Sequence, residues 1–274
     1  MAAKKTLKKS AVKARPKQAK TEPQRRSLPK SSAKSQKKQR VDPAQVVKTY
    51  AKLRERHADA HCELDHTSAF QLILATVLSA QSTDVMVNKI TPELFRRWPT
   101  PVSLAAADPA EVEQVLNRIG MYRQKTKNII GLSKRLISEH AGQVPRTLAE
   151  LVQLPGVGRK TANVVLGVAF GTPEGVVVDT HVQRISQRLG WTQYGEPIEI
   201  ERDLMALFPR SDWDMLSHTL IFHGRRICAA RKPACAACPV SANCPSAFDA
   251  EHVGRKAGGQ TRAKKSPSAP KNKS

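Results

Sequence analysis

The stretch Leu154-Pro155-Gly156-Val157-Gly158-Arg159-Lys160-Thr161-Ala162 predicts a glycine-containing hairpin that leads into a helix. Gly156 and Gly158 can take positive φ and lack a Cβ atom, so backbone N–H groups at the start of that helix can approach a phosphate closely. Lys160, on the first turn of the helix, is then either an electrostatic contact or a nucleophile. The alternative interpretation is a tight turn that joins two packed helices.

The positive charge of the chain is concentrated towards its two ends. The 274 residues include 46 Lys or Arg and 23 Asp or Glu, which gives a formal net charge of +23. Residues 1–40 hold 15 basic residues against one acidic residue, residues 252–274 hold seven against none, and the central part is almost balanced. Segments rich in Lys, Ser, Pro and Ala bury too little apolar surface to offset chain entropy. We therefore predict disordered basic tails over residues 1–40 and 248–274.

Basic tails of this kind raise the affinity of a protein for a polyanion through counterion release. The alternative is a pair of solubilising tails with no specific partner. The sequence contains no run of 18 or more apolar residues, and neither end carries the apolar core of a signal peptide. We therefore expect a cytoplasmic protein that has no membrane partner.

Apolar spacings of three and four residues, together with regular capping signals, predict a mainly α-helical protein. Asp108 illustrates these signals, because it precedes a proline at the first helical position and an acidic residue in the first turn. The candidate strand is the Val-Val-Val segment at 176–178, for which no partner strand is evident. The predicted helices cover residues 43–57, 68–80, 84–98, 109–119, 123–139, 147–154, 159–170, 180–189, 197–208 and 212–226.

Four cysteines follow the last predicted helix with the spacing C-x6-C-x2-C-x5-C, and they are Cys228, Cys235, Cys238 and Cys244. Two disulfides in so short a segment would be strained, so the cluster indicates a metal centre. The spacing alone is compatible with a single zinc ion and with an iron–sulfur cluster. Arg231 and Lys232 lie between the first two cysteines, where a folded basic loop can contact phosphates. Cys62, far upstream, is predicted to be a free thiol.

Four motifs occur in a recognisable order along the chain: Leu78-Ser79-Ala80-Gln81-Ser82-Thr83-Asp84, the hairpin with Lys160, Val178-Asp179-Thr180-His181-Val182, and the cysteine quartet. From about residue 43 to residue 246 the chain resembles the bacterial endonuclease III family of DNA glycosylases and AP lyases. The resemblance implies a helix-hairpin-helix glycosylase fold with a six-helix barrel domain over residues 62–173. It also implies a discontinuous helical domain, residues 41–61 and 174–247, that binds a [4Fe–4S] cluster through the four cysteines.

The same resemblance implies that Lys160 is the nucleophile and that Asp179 is its acidic partner. An amine that attacks C1′ of a damaged nucleotide expels the base and leaves a Schiff base, which permits β-elimination of the 3′ phosphate. An attacking amine must be neutral, and we expect the neighbouring cation Arg159 to favour that form. Asp179 either moves protons or stabilises positive charge at C1′, and it also has the position of a helix N-cap before Thr180.

A damaged base must leave the stack before C1′ can be attacked, and the resemblance implies that Gln81 fills the vacated space. Met121 lies where relatives place a leucine wedge, and we expect this flexible apolar side chain to wedge between bases. Gly156, Gly158, Arg159, Arg231 and Lys232 complete the expected DNA contacts. We interpret His181 as a structural histidine.

The expected protein is thus a monomeric base excision repair enzyme of the bacterial nucleoid that acts on damaged double-stranded DNA. The resemblance implies that oxidised pyrimidines are its substrates. Related enzymes that remove adenine from mismatches lack a lysine at the position of Lys160, which counts against that activity. A non-catalytic DNA-binding protein, in which the hairpin and the tails only hold phosphates, is the alternative hypothesis.

Removal of residues 1–40 and 252–274 should reduce the salt dependence of DNA binding, because these segments carry 22 basic residues. Each phosphate contact that is lost lowers the slope of log K against log salt concentration by about 0.9. Binding of a fluorescent duplex over a salt series measures this slope. An unchanged slope would contradict the assignment of the tails to DNA.

Overall fold

Eleven α-helices make up most of residues 42–253, which are the residues described by this computed structural model, and no strand occurs among them. The prediction of a mainly α-helical fold is therefore confirmed. Both predicted tails lie outside the described residues, apart from residues 248–253. The helices are α1 (Pro43–Arg56), α2 (Ala69–Leu78), α3 (Asp84–Arg97), α4 (Pro101–Ala105), α5 (Pro109–Leu116), α6 (Tyr122–His140), α7 (Leu148–Leu151), α8 (Arg159–Phe170), α9 (Thr180–Arg188), α10 (Pro197–Leu207) and α11 (Trp213–Arg226).

Side-chain caps fix the starts of many of these helices. Asp42 accepts a hydrogen bond from the backbone N–H of Ala44 at 3.0 Å, and Asp108 accepts one from Ala110 at 2.9 Å. The short helix α4 was not among the predicted helices, because five residues are too few to show an apolar period. Its start is nevertheless marked by a capping box between Thr100 and Ser103.

The buried apolar side chains form two clusters. One cluster lies between Leu64 and Leu166 and is centred on α2, whose residues Leu72, Ile73 and Leu74 are inaccessible to solvent. The other joins α1 to the part of the chain between Val176 and Val240. A helix that is apolar on all sides must lie inside such a cluster, which explains why α2 is surrounded by the helices that follow it.

The structure corrects two predictions. Residues 176–178 do not form a strand, because the N–H of Val177 donates to the Ser217 hydroxyl at 3.0 Å rather than to a neighbouring strand. The predicted C-terminal tail begins too early at residue 248, since Ala250–His252 form a 3-10 helix with Ala250 buried. Arg188 holds this segment by donating to the carbonyl of Val253 at 3.0 Å.

Gly175 lies against a buried carboxylate, and this contact generates a stability prediction. A Cβ atom at position 175 would overlap Oε1 of Glu201 and lie 2.6 Å from Nδ2 of Asn163. We expect Gly175→Ala to lower the free energy of unfolding by about 1–3 kcal/mol, because the added methyl group must displace a packed polar pair. Urea unfolding measures the change.

Gly195→Ala is the matched control, because a Cβ atom there would meet nothing within 4 Å. We expect it to leave the urea midpoint almost unchanged. Equal midpoints for the two variants would show that the space around Gly175 can relax and that the predicted clash is wrong.

Candidate active site

The glycine hairpin between α7 and α8 has the geometry of an anion-binding turn. Gly156 has a φ of +79°, and a Cβ atom there would lie 2.8 Å from Nδ2 of Asn128, so both conformation and space require glycine. Gly158 has a φ of −97° and does not use the positive region expected for it. It is the N-cap of α8 and makes no side-chain cap hydrogen bond, so no side chain covers the first N–H groups of the helix. These groups and the helix dipole favour a phosphate at this position.

Lys160 lies on the exposed first turn of α8, next to Arg159. Nε of Arg159 donates to Oε2 of Glu201 at 2.7 Å, and the Glu201 side chain is almost fully buried. This hydrogen bond raises the pKa of Arg159 above its ordinary value. The structure therefore pairs Arg159 with a carboxylate rather than leaving it as a free cation beside the amine, contrary to the expectation from the sequence.

Asp179 is the N-cap of α9, as the sequence predicts. Its Oδ1 accepts hydrogen bonds from the N–H groups of His181 and Val182, both at 2.8 Å, and its Oδ2 lies 3.0 Å from Nδ1 of His181. Burial opposes ionisation, but these hydrogen bonds and the nearby charge of Lys160 outweigh it and hold the pKa of Asp179 below its ordinary value. Asp179 is therefore a carboxylate at neutral pH, and His181 orients it.

A third carboxylate, Asp84, belongs to the same cleft and was missed as a site residue. Burial raises its pKa, the charge of Asp179 raises it further, and Lys160 acts in the opposite direction. Arg225 donates to Oδ2 of Asp84 at 2.8 Å and also forms an ion pair with Glu63. An open pocket is lined by Asp84, Glu63 and Arg225 together with His181. Asp84 ends the Leu78–Asp84 motif, which was the available signal in the sequence.

Gln81 and Met121 lie on adjacent exposed loops. Both residues are in the left-handed region, with φ of 57° and 56°, which is uncommon for residues other than glycine. The loops are close to each other, since a Cβ atom on Gly120 would lie 4.0 Å from the carbonyl oxygen of Gln81. Met121 is 52% exposed, and such exposure of a large apolar side chain fits a residue that inserts between bases.

The four predicted cysteine ligands line a single pocket, with Ile185 and Val240 among its apolar walls. None of the four forms a disulfide. Arg188 is 1% exposed and its Nη1 donates to Sγ of Cys228 at 3.2 Å. Within residues 42–253, no three His, Cys, Asp or Glu side chains gather around a single metal-ion position.

Arg188 holds the backbone of the loop between the first two cysteines through hydrogen bonds. Its guanidinium donates to the carbonyls of Ala229 at 2.8 Å and Ala230 at 3.1 Å. Arg231 and Lys232 follow directly and are exposed, and Lys232 has a positive φ of 51°. The structure thus presents both predicted basic residues on the surface of the cysteine segment.

No helix in the described part of the chain is long and apolar enough to cross a membrane.

Comparison with known families matches residues 74–210 to the HhH-GPD superfamily base excision DNA repair protein family. Endonuclease III of Synechocystis sp. is 51% identical over 71% of this chain and 89% of the relative. Endonuclease III of Bacillus subtilis is 47% identical over 70% and 88%, and that of Escherichia coli K12 is 39% identical over 74% and 96%.

Solved structures give the same result. A trapped endonuclease III–DNA covalent intermediate has a TM-score of 0.73 and 43% identity to this chain, and it covers 77% of this chain and 99% of its own. A non-covalent endonuclease III–DNA complex has the same TM-score and identity over 77% and 98%. A thermostable thymine-DNA glycosylase, with 23% identity and a TM-score of 0.62, shares the fold. The chain therefore belongs to the endonuclease III family of HhH-GPD base excision DNA repair proteins.

Proposed function

We propose that this chain removes oxidised pyrimidines from double-stranded DNA and then cuts the strand on the 3′ side of the abasic site, with Lys160 as the nucleophile. Its family membership places it in base excision repair with a DNA glycosylase and AP lyase role. One observation carries the assignment of residues: Lys160 is exposed at the uncapped start of α8, within electrostatic reach of the carboxylate of Asp179. We assign this activity to the DNA of the bacterial nucleoid and to a monomer.

Lys160 supplies the amine that attacks C1′. As the C1′–Nζ bond forms, the C1′–N bond to the base breaks and the base leaves with a proton. The C1′–O4′ bond of the sugar ring then breaks, O4′ takes up a proton, and a Schiff base remains between C1′ and Nζ. The positive Schiff base acidifies the 2′ proton, whose removal expels the 3′ phosphate by β-elimination. The same covalent bond to Lys160 thus serves both base removal and strand cleavage.

The ionised state of Asp179 limits the catalytic roles that this side chain can have. A carboxylate at neutral pH can accept a proton or stabilise positive charge at C1′, but it has no proton to donate. His181 fixes the orientation of this carboxylate through the 3.0 Å contact with Oδ2. We therefore assign Asp179 to electrostatic stabilisation and proton acceptance in the first step.

DNA contacts are divided between the backbone and a few side chains. The N–H groups near Gly156 and Gly158, with the exposed part of Arg159, bind phosphates of the damaged strand. Gln81 and Met121 occupy the space left when the nucleotide is extruded, which requires a few kcal/mol of unstacking. Arg231 and Lys232 bind phosphates from the cysteine segment.

The cysteine pocket fits a [4Fe–4S] cluster. Zinc binds four thiolates around one centre at about 2.3 Å, whereas a cluster binds each thiolate to a different iron atom. The four thiols lie around the walls of a shared pocket, and Arg188 supplies a buried positive charge to the sulfur of Cys228. A bound cluster would cross-link residues 228–244 and so fix the loop that carries Arg231 and Lys232.

We also propose that residues 41–61 and 174–247 form one domain around the cluster and that residues 62–173 form the barrel domain.

Replacement of Lys160 tests the covalent mechanism. We expect Lys160→Gln to abolish borohydride trapping on a duplex with an oxidised pyrimidine and to slow strand cleavage by more than ~10³-fold, because no other amine replaces a lost nucleophile efficiently. Lys134→Gln, an exposed lysine on α6, is the control and should behave as the unchanged protein. Equal trapping by Lys160→Gln would contradict the assignment, and tight binding without cleavage by cluster-loaded unchanged protein would favour a non-catalytic role.

The identity of the metal centre has its own test. We expect the purified protein to contain about four iron atoms per chain and to show the broad visible absorption of an iron–sulfur cluster. Cys235→Ala should lose this absorption, whereas Cys62→Ala should keep it because Cys62 packs against the other hydrophobic cluster. A colourless protein that contains one zinc ion would refute the cluster.

A further inference from the structure

A lysine side chain is buried beneath the two loops that carry Gln81 and Met121. Lys125 is only 2% exposed, although it lies on the first turns of a helix that begins at the protein surface. Lysine is almost never buried without a partner, because the ammonium group loses its hydration. Its presence here therefore requires an explanation that packing alone does not supply.

The ammonium group of Lys125 connects the two loops directly. Nζ donates to the hydroxyl of Ser82 at 2.9 Å, and Ser82 follows Gln81 in the chain. The backbone N–H of Lys125 donates to the carbonyl of Met121 at 3.0 Å. One residue thus holds the peptide of Met121 at one end and the neighbour of Gln81 at the other.

Each end of this bridge is fixed to the body of the protein. Ser82 donates its N–H to the carbonyl of Ser79, and the hydroxyl of Ser79 donates to the carbonyl of Thr76 at the end of α2. Met121 is the N-cap of α6 and makes no side-chain cap hydrogen bond, so its left-handed conformation is not stabilised by a cap. The bridge from Lys125 therefore ties the start of α6, which follows Met121, to a loop that is held at the end of α2.

The charge of Lys125 is not balanced by a carboxylate. Burial lowers the pKa of its ammonium group, and no charged group in the described part of the chain contributes to the shift. A methionine of similar length would fill this space without the cost of desolvation, so stability alone does not favour lysine. The retained hydrogen bond to Ser82 is the feature that a methionine cannot reproduce.

We propose that Lys125 is a positioning residue that sets the separation of Gln81 and Met121, so that both can enter the duplex together when the damaged nucleotide is extruded. The proposal rests on the proposed function, because it concerns the step that opens the duplex before Lys160 reacts. Two inserting side chains must match the spacing of one vacated nucleotide, and a loop displacement of about 1 Å can lower a rate by about 10²-fold. When the substrate is already unpaired, the separation of Gln81 and Met121 does not affect the cleavage rate.

The experiment compares one abasic site in two contexts, a fully paired duplex and the centre of a short unpaired bubble, in single-turnover cleavage by the cluster-loaded full chain. Lys125→Met and Ser82→Ala should each lower the duplex rate by about 10- to 100-fold. Both should leave the bubble rate within about threefold of the unchanged protein, because the bubble requires no insertion into stacked bases. The double variant should be no slower than Lys125→Met, because the two changes remove the same hydrogen bond.

Lys134→Met, an exposed lysine on the same helix, is the matched control and should cleave both substrates normally. We expect the melting temperature of Lys125→Met to be at or above that of the unchanged protein, since a buried charge is removed. Equal losses on duplex and bubble, additive losses in the double variant, or no loss on the duplex would each overturn the positioning role. If the unchanged protein cleaves neither substrate, the proposed function itself fails.

Discussion

The buried carboxylate of Glu201 ties α8, the helix that carries Lys160, to α10, and the arrangement of the cleft depends on it. It accepts hydrogen bonds from Arg159 and Asn163, one turn apart on α8, although it lies on α10, whose Ile200 and Leu204 belong to the other hydrophobic cluster. Removing a carboxylate from water is costly, so such a group stabilises a fold only when its partners are fixed. Arg159 is therefore a structural residue as well as a neighbour of Lys160.

Local signals predicted most of the fold, whereas contacts between distant elements were not predictable. The bounds of α8 agree with the prediction, because a glycine precedes its first residue and another follows its last. The motif around Asp179 indicated both a cap and an acidic site residue. The ion pair of Arg159 was not predicted because its partner Glu201 is 42 residues away. The burial of Lys125 gave no signal in the sequence because it depends on a loop 43 residues earlier.

Several arginines in the described part of the chain are engaged in ion pairs with carboxylates. Arg97 pairs with Glu111, Arg135 with Glu139 and Arg226 with Asp59. Exposed pairs of this kind contribute little to stability, about 0–1 kcal/mol each, but they cancel charge that would otherwise attract DNA indiscriminately. In the proposed complex, backbone N–H groups at the hairpin consequently have a larger share in holding the phosphate, which leaves the amine of Lys160 for the proposed chemistry.

The hydrogen bond from Arg188 to the carbonyl of Val253 fixes the position of Val253, the last residue that the structure describes. The same guanidinium contacts Cys228 and the carbonyls of Ala229 and Ala230, so Val253 lies beside the cysteine loop. Any contact that the chain after Val253 makes with a phosphate becomes an intramolecular event once DNA occupies the cleft. The strength of such a contact depends on the effective concentration of the contacting residue at the phosphate, which is set by the number of residues between it and Val253. A change in the position of Val253 would therefore alter the avidity for DNA without changing any individual DNA contact.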